Sequence, residues 1–401
     1  MTAGPLSDLL VVDLSRALAG PHATQMLGDL GARVIKVEVP GDGDDSRGWG
    51  PPFVWPAGVD ETAGIAAGRE STYFLSTNRN KESVVLDLKS AADRDVLLAL
   101  VNHADVLVEN FRTGVLDRLG LGTKSLQDAN PGLVVLSITG FGHDGPESAR
   151  SGYDQIAQGE AGLMSITGAG PDDPQKVGTP IGDMLAGMFG AYGVLAALHE
   201  RRRTGVGSVV RTSLLAALIG VHAYHGTRWT VAGQVPHAQG NHHPSIAPYG
   251  AFRCADGMVQ ISLGSEALWR RFCTGFDLDA EEAGFASNSD RVARRHELVQ
   301  RVEAAFADWK TDPLLARLDE VGVPAGRIRT MDEVYAWEQV HAQGLLVDVD
   351  HATLGQLRLP GPPLRFFAPD GTEVTRTDHS PPPVLDADGA DLRRWVADGC
   401  P

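Results

Sequence analysis

Cysteine is scarce in this sequence, which holds three cysteines among 401 residues. Cys254, Cys273 and Cys400 lie far apart without a metal-type pairing, which argues against a disulfide framework and a zinc site. Such sparing use of cysteine is typical of a reducing compartment. We therefore expect a cytoplasmic protein.

Basic residues are also few, since 35 lysines and arginines stand against 51 aspartates and glutamates. The formal net charge of -16 would repel a polyanion on average, so nucleic acid is not an expected partner. Hydrophobic residues make up 43% of the chain and charged residues 21%, which is typical of a globular protein with a sizeable core. These values fit a metabolic enzyme.

Long apolar runs are missing as well. Residues 1–10 lack the basic stretch and apolar run of a secretion signal. The most apolar helical pattern, residues 184–198, is shorter than a bilayer span and is followed by a charged segment, residues 199–203. We interpret it as a buried helix with a solvated end, and we expect no membrane association.

Short β-branched runs alternate with helical patterns through the first third of the chain. This alternation predicts an α/β fold with a parallel, Rossmann-like sheet covered by helices on both faces. The predicted strands are residues 9–14, 33–38, 84–88, 105–108 and 133–138, and the predicted helices include residues 21–30 and 91–102.

The carboxyl ends of these strands are the expected ligand-binding edge of the sheet. They carry Ser15-Arg16, residues 40–43, residues 110–112 and residues 139–142. The first turn, Ala19-Gly20-Pro21, does not match the G-x-G-x-x-G pattern, so we do not expect a nicotinamide or flavin dinucleotide.

The character of the sequence changes beyond residue 200. We predict a large domain over residues 1–200, a linker helix over 201–225, a smaller α+β domain over 226–330, and a linker with a C-terminal segment over 331–401. The predicted elements there are a helix over 216–229, a strand over 258–262, a helix from Ala267, a charged helix over 290–309, and an extended proline-rich tail.

Glycine is dense between residues 137 and 187, and in this stretch Asp183 directly precedes the apolar helical pattern. We expect Asp183 at the N-cap or in the first turn, where the helix dipole and free backbone N–H groups favour its ionised form. An ionised carboxylate can attack an electrophile. The alternative is that Asp183 only caps the helix.

Several short motifs occur in a fixed order up to about residue 212. They are residues 13–16, 19–21, 34–38, 47–49, 80–81, 108–111 and 117–120. In this order they resemble the family III CoA-transferases, of the formyl-CoA transferase and carnitine CoA-transferase type. The second half of the chain resembles the family more loosely, at residues 248–249, 255–257 and 322–326.

The resemblance implies transfer of CoA from an acyl-CoA to a free carboxylic acid, with Asp183 as the covalent nucleophile. It implies an acyl-aspartyl anhydride, then an aspartyl-CoA thioester, with CoA as a substrate and no tightly bound cofactor. It also implies an interlocked homodimer in which the C-terminal segment returns to the large domain.

The resemblance further assigns binding residues. The positions that match CoA contacts of the family are Leu18, Ala19, Leu86, Asp87, Leu88, Lys89, Asn110, Phe111, Arg112, Arg118, Thr139, Gly140, Phe141 and Gly142. Arg118 as a helix cap and Lys89 as a surface charge are the alternatives. The formyl-CoA type has arginine where Val39 stands and lysine where Thr139 stands, so the phosphate contacts must differ.

Trp49, Tyr153, Gly240, His242 and His243 are the expected substrate-binding residues. The two histidines could donate hydrogen bonds to a second carboxylate, which would suit a dicarboxylic acid. The alternatives are a core tryptophan and solvent-exposed histidines, and no metal site is expected around them.

Two other functions stay open. The α-methylacyl-CoA racemases resemble the same span, but they carry a histidine where Tyr153 follows Gly152, and tyrosine is a poor proton shuttle near neutral pH. Only an unusual local geometry would bring His143 into that role. The other alternative is a CoA-binding protein without activity, which the presence of Asp183 disfavours.

Overall fold

The computed structural model describes residues 4–59 and 68–400, so part of the segment 1–10, predicted to lack a secretion signal, lies outside the described residues. The strands are β1 Leu10–Asp13, β2 Arg33–Glu38, β3 Phe53–Val54, β4 Glu70–Ser71, β5 Lys81–Val85, β6 Val106–Glu109, β7 Val134–Thr139, β8 Val209–Ser213, β9 Tyr249–Cys254, β10 Gly257–Ser262, β11 Ala325–Arg327, β12 Leu346–His351 and β13 Gly355–Pro360. The helices are α1 Ala19–Asp29, α2 Thr72–Ser76, α3 Ala91–His103, α4 Val115–Arg118, α5 Thr123–Ala129, α6 Asp154–Glu160, α7 Ile181–Thr204, α8 Leu214–Gly220, α9 Ala223–Thr230, α10 Glu266–Gly275, α11 Asn288–Ala293, α12 Arg295–Phe306, α13 Thr311–Glu320, α14 Met331–Ala336, α15 Glu338–Ala342 and α16 Gly389–Ala397.

The main sheet has six parallel strands in the order β5-β2-β1-β6-β7-β8. Successive residues of a strand point to opposite faces, so Val11 joins the apolar core beneath α1 and α7 while Val12 joins the core beneath α3 and α5. Both faces are therefore covered by helices. The predicted α/β fold with a parallel sheet is confirmed.

Strand β5 lies three residues earlier than its predicted range, 84–88. It begins at Lys81, a buried lysine whose Nζ donates to Asp13 Oδ2 at 3.1 Å. An apolar pattern does not reveal a strand whose buried positions are polar. Leu86 is buried but lies beyond the strand.

Other predicted helices are divided in the structure. Residues 201–225 do not form one linker helix. They contain the end of α7, strand β8 of the main sheet, α8 and the start of α9. The helix predicted over 216–229 is interrupted at Val221, and the helix predicted over 290–309 is interrupted at Arg294, whose φ of -106° and ψ of 31° are not helical. Apolar spacing continues through both breaks, which is why the pattern missed them.

Helix α7 packs against α1, β7 and β8 through small residues. Among the described residues, α7 is the one helix whose length and composition would allow it to cross a membrane. Its contacts with α1, β7 and β8 are instead typical of a core helix. An outer face of α7 leaves Met188, Phe189, Tyr192 and Leu195 exposed, Tyr192 at 72%. The interlocked homodimer stays a prediction, with which this apolar stripe is compatible.

Gly187 of α7 allows the close approach of α1, because a Cβ at this position would stand 2.6 Å from the Ala19 carbonyl oxygen. We expect Gly187→Ala to lower the free energy of unfolding by about 1–3 kcal/mol, although alanine is a better helix former by roughly 1 kcal/mol. Urea unfolding measures the change. The matched control is Gly220→Ala in α8, where the nearest atoms lie 3.8 Å away. Equal stability of the Gly187→Ala and parent proteins would contradict this packing.

The chain forms two compact units. The first consists of the chain up to Leu163, Val177–Val231 and the chain from Gln339 onward, and the second of Met164–Lys176 and Ala232–Glu338. The second unit has an antiparallel sheet, β11-β10-β9, over an aromatic core in which Phe272 lies 5.9 Å from Phe306 between ring centres.

The C-terminal segment covers the β5 edge of the main sheet. Asp388 Oδ2 accepts from Ser83 N at 2.8 Å, and Asp386 Oδ1 accepts from Val85 N at 2.7 Å. Asn80 exchanges hydrogen bonds with the backbone of Ser380. The backbone N–H groups of Ser83 and Val85, which could otherwise pair with a strand of another chain, are thus satisfied within the first unit.

Candidate active site

A cavity of about 420 Å³ lies at the carboxyl ends of β1, β6 and β7 in the first unit. Asp183 lines it, as do several other residues predicted for the site. These are Ala19, Trp49, Asn110, Phe111, Arg112, Thr139, Gly140 and Tyr153. The carboxyl edge of the sheet, which we expect to bind the ligand, is therefore the edge that holds the cavity.

Asp183 is the third residue of α7 and lies in its first turn. The backbone N–H groups of Gly182 and Asp183 donate to Asp154 Oδ1, at 2.7 and 3.3 Å. Asp154 begins α6, and its other oxygen accepts from Gln158 Nε2 at 2.6 Å. A second carboxylate thus occupies the amides at the start of α7.

The expectation that Asp183 is favoured in its ionised form is wrong. Burial raises the pKa of Asp183 from 3.8 to about 7, and the neighbouring charge of Asp154 adds to the rise. The helix amides that were to stabilise Asp183 are taken by Asp154, which contributes a like charge instead. Within the described residues the Asp183 carboxylate accepts no hydrogen bond. A carboxylate of this basicity is a stronger nucleophile than an ordinary aspartate when it is deprotonated.

Trp49 and Tyr73 form an aromatic wall of the cavity, with ring centres 5.0 Å apart in an edge-to-face arrangement. Arg47 fixes the turn that carries Trp49, since it donates to both oxygens of Glu38 at 2.8 Å and lies over the Phe74 ring. Burial raises the pKa of Tyr73, and the charges of Asp183 and Asp154 raise it further. Its hydroxyl therefore stays protonated and available as a hydrogen-bond donor in the cavity that Asp183 lines.

The other predicted CoA contacts are not among the residues that line this cavity. Leu18 and Leu86 are buried in the core, Asp87 accepts from Lys89 N, and Leu88 packs against the core. Arg118 is the exposed last residue of α4. Phe141 is buried beneath the Arg150 guanidinium, and Gly142 N donates to Thr139 Oγ1 at 3.1 Å.

The predicted loop residues Gly240, His242 and His243 belong to the second unit. Gly240 has a left-handed φ of 59° and donates to Gly168 O at 2.9 Å. His242 meets the Phe252 ring edge-on at 5.4 Å, and His243 stacks on Tyr249 at 5.1 Å. Their assignment to substrate stays a prediction.

His143 lines a different, smaller cavity of about 140 Å³. Its Nε2 shares a hydrogen bond of 2.7 Å with Ser137 Oγ, which donates to Glu109. Burial lowers the pKa of His143, and Arg211 lowers it further. His143 is thus not among the residues that line the Asp183 cavity, and the geometry needed for a racemase-type proton shuttle is not provided by this histidine.

Sequence reasoning did not assign a role to Arg16, Tyr73, Arg150 or Asp154, all of which line the cavity. Asp154 had a usable signal, since it follows Gly152-Tyr153 within the glycine-dense stretch that also contains Asp183. Tyr73 and Arg150 have no pattern of their own, because only tertiary folding brings them to the sheet edge.

A buried carboxylate of raised pKa at the carboxyl edge of a parallel sheet, beside arginines and a tyrosine donor, is an arrangement that suits group transfer. The sequence model of CoA-transferase family III matches residues 6–389 of this chain. The succinate–glutarate CoA-transferase of Agrobacterium fabrum is 38% identical over 91% of this chain and 92% of that protein. The acetyl-CoA:oxalate CoA-transferase of Acetobacter aceti is 36% identical over 98% of this chain and 96% of that protein.

A solved structure agrees with these relatives. The crystal structure of a CAIB/BAIF family protein from Brucella suis superposes with a TM-score of 0.85 and 39% identity, covering 98% of this chain and 100% of that one. The chain belongs to CoA-transferase family III. The resemblance read from the ordered motifs is confirmed, and the protein is an enzyme of this family.

Proposed function

We propose that this protein transfers CoA from an acyl-CoA to a free dicarboxylic acid, with the Asp183 carboxylate as its covalent nucleophile. The observation that carries the proposal is the placement of Asp183 in the cavity wall with its pKa raised to about 7. Membership of the family supplies the reaction class.

In the first half of the reaction, Asp183 attacks the thioester carbonyl carbon and the carbon–sulfur bond breaks. This gives a mixed anhydride between Asp183 and the donor acid, and a CoA thiolate. The thiolate then attacks the aspartyl carbonyl carbon, which releases the donor acid as its carboxylate and leaves an aspartyl-CoA thioester. The Tyr73 hydroxyl supports the oxyanion in these steps as a neutral donor.

The second half repeats these steps in reverse. The acceptor carboxylate attacks the aspartyl-CoA carbonyl carbon. The CoA thiolate leaves, and a new anhydride joins Asp183 to the acceptor acid. Attack of the thiolate on the acceptor's acyl carbon then yields the product thioester and regenerates the Asp183 carboxylate. Over the whole cycle one CoA thioester is replaced by another of similar energy, so the enzyme needs no co-reactant.

The proposal of a dicarboxylic acceptor has two supports. The relatives named above act on succinate, glutarate or oxalate by their names, and each of these acids has two carboxylates. The wall of the cavity also holds Arg16, Arg112 and Arg150, whose guanidinium groups suit carboxylate and phosphate. One carboxylate would react at Asp183 while the other is bound.

With acetyl-CoA or succinyl-CoA as donor, we expect a new thioester when glutarate or oxalate is supplied. Dicarboxylic acids should react with a kcat/KM roughly 100-fold or more above that of monocarboxylic acids of equal length, because only they can satisfy a guanidinium in the cavity. Liquid chromatography with mass spectrometry detects the products. Glutarate without protein is the control.

Two outcomes would contradict this function. One is formation of no new thioester with any acid of the panel. The other is incorporation of deuterium at the α-carbon of a branched acyl-CoA in heavy water without an acceptor acid, which would favour the racemase alternative.

A further inference from the structure

The loop between β1 and α1 is held by side chains at three successive residues. The buried Lys36 donates to Ser15 O at 3.0 Å. Asn110 accepts from Arg16 N at 2.8 Å and donates to Arg16 O at 2.7 Å. Asp44 accepts from Ala17 N at 3.1 Å and also pairs with Lys36 at 2.8 Å.

This network places charges in the interior of the protein. Lys36 and Asp44 are both buried, and a lysine–aspartate pair in the interior is weak support for stability, since both groups lose their hydration. Ala17 also adopts a left-handed φ of 64°, a conformation that costs a non-glycine residue about 1 kcal/mol or more. The buried ion pair and the left-handed backbone at Ala17 both cost free energy, and what they provide is a fixed position for the side chain of this loop.

The side chain that this loop carries into the cavity is Arg16. Its guanidinium lies 5.4 Å from the centre of the Phe111 ring. Within residues 4–59 and 68–400 it has no carboxylate within ion-pair distance and donates no hydrogen bond. The same cavity wall holds Asp183, so a half-buried cation with unused donors shares a cavity with the nucleophile.

The other two arginines of the wall differ from Arg16. Arg150 is paired with Glu147 and Glu160, so its charge is already compensated. Arg112 is exposed to solvent, which suits a group that remains partly hydrated such as a phosphate of CoA. Only Arg16 combines partial burial, a fixed backbone and no anionic partner among the described residues.

We propose that Arg16 is the specificity-determining residue that binds the second carboxylate of the dicarboxylic acid. This rests on the proposed CoA transfer and assigns the group that distinguishes a dicarboxylic from a monocarboxylic acceptor. A guanidinium on a rigid loop can bind a carboxylate through two parallel hydrogen bonds, whereas an uncharged methyl end would leave its donors unsatisfied.

A phosphate of CoA is the other anion that Arg16 could bind, and the two sources are separated by the choice of substrates. Acetyl-CoA, whose acyl group has no second carboxylate, serves as the donor for every measurement. The acceptors are glutarate and pentanoate, which have chains of equal length. A loss of CoA binding lowers the rates with both acids alike, while a loss of carboxylate binding changes the ratio of the two.

We expect Arg16→Gln to lower the ratio of kcat/KM for glutarate to that for pentanoate by about 100-fold. Arg16→Lys keeps the charge but not the paired donors, and it should lower the ratio by a smaller factor. Arg112→Gln is the matched control from the same wall, for which the rates with both acids should fall together. Thermal unfolding of each variant confirms that it is folded.

An unchanged ratio in Arg16→Gln, with equal losses for both acids, overturns the assignment to the second carboxylate. If Arg16→Gln does not fold, the Arg16→Lys variant decides, since a ratio equal to that of the parent overturns the proposal and a lowered ratio supports it. Absence of any new thioester with the parent protein would instead defeat the proposed CoA transfer. The two failures are therefore distinguishable.

Discussion

The Asp183→Asn protein is expected to transfer CoA at least about 10⁴-fold more slowly than the parent, because a neutral amide cannot replace the carboxylate as nucleophile. The substitution keeps the size and shape of the side chain at the start of α7. After mixing with an acyl-CoA and hydroxylamine, mass spectrometry should find the peptide with Asp183 modified in the parent and unmodified in the variant. Transfer by the variant at the parental rate would rule out the covalent mechanism.

The stability of Asp183→Asn supplies the control for folding. The pKa of Asp183 is raised from 3.8 to about 7 in the folded protein, so the folded state binds its proton more tightly than the unfolded state. This contribution to stability is present below about pH 4 and is lost as the pH rises through about 7. Asparagine does not ionise, so the variant does not lose stability as the pH rises. Its melting temperature should therefore exceed that of the parent at pH 8, with a smaller difference at pH 5.

The Asp154→Asn protein is expected to stay active at a pH where the parent is largely inactive. In the parent, log kcat/KM should rise with pH and level off above about 7, since only deprotonated Asp183 attacks. Removal of the Asp154 charge lowers the pKa of Asp183 and should move this rise to lower pH by about one unit or more. An asparagine still offers an oxygen to the Gly182 and Asp183 amides, so the start of α7 is retained.

Asp45→Asn is the matched control for the pH profile. Asp45 lines the same cavity but is not a source of the raised pKa of Asp183. Its replacement should leave the midpoint of the rise in place. An unmoved midpoint in Asp154→Asn as well would show that Asp154 does not set the basicity of the nucleophile.

Periodicity predicted the part of the fold that depends on apolar side chains. Strands β1, β2 and β7 fall within one residue of the predicted ranges, because they are buried on both faces and read as continuous apolar runs. Strand β5 was displaced because Lys81 and Ser83 are buried through ionic and hydrogen-bonded partners from other elements. A polar residue that folding buries looks like a surface residue in the sequence.

The site was predictable to the extent that one segment contained its signal. Asp183 stood out because a glycine-rich stretch, an acidic residue and an apolar helix follow one another, and the ordered motifs then gave it a role. Its raised pKa was not predictable. That value depends on the burial of the side chain and on the charge of Asp154, which is 29 positions away in sequence and reaches the α7 amides only in the folded chain.

The covered edge of β5 constrains the order in which the protein can be completed during synthesis. The hydrogen bond from Ser83 to Asp388 joins residues 305 positions apart, so a nascent chain holds this strand with one unprotected border for most of translation. Both segments of the second unit, Met164–Lys176 and Ala232–Glu338, are made during that interval and have an apolar core of their own. We therefore expect the β5 edge to be covered late in synthesis, and an incomplete chain to be the form in which this edge is free to pair with another strand.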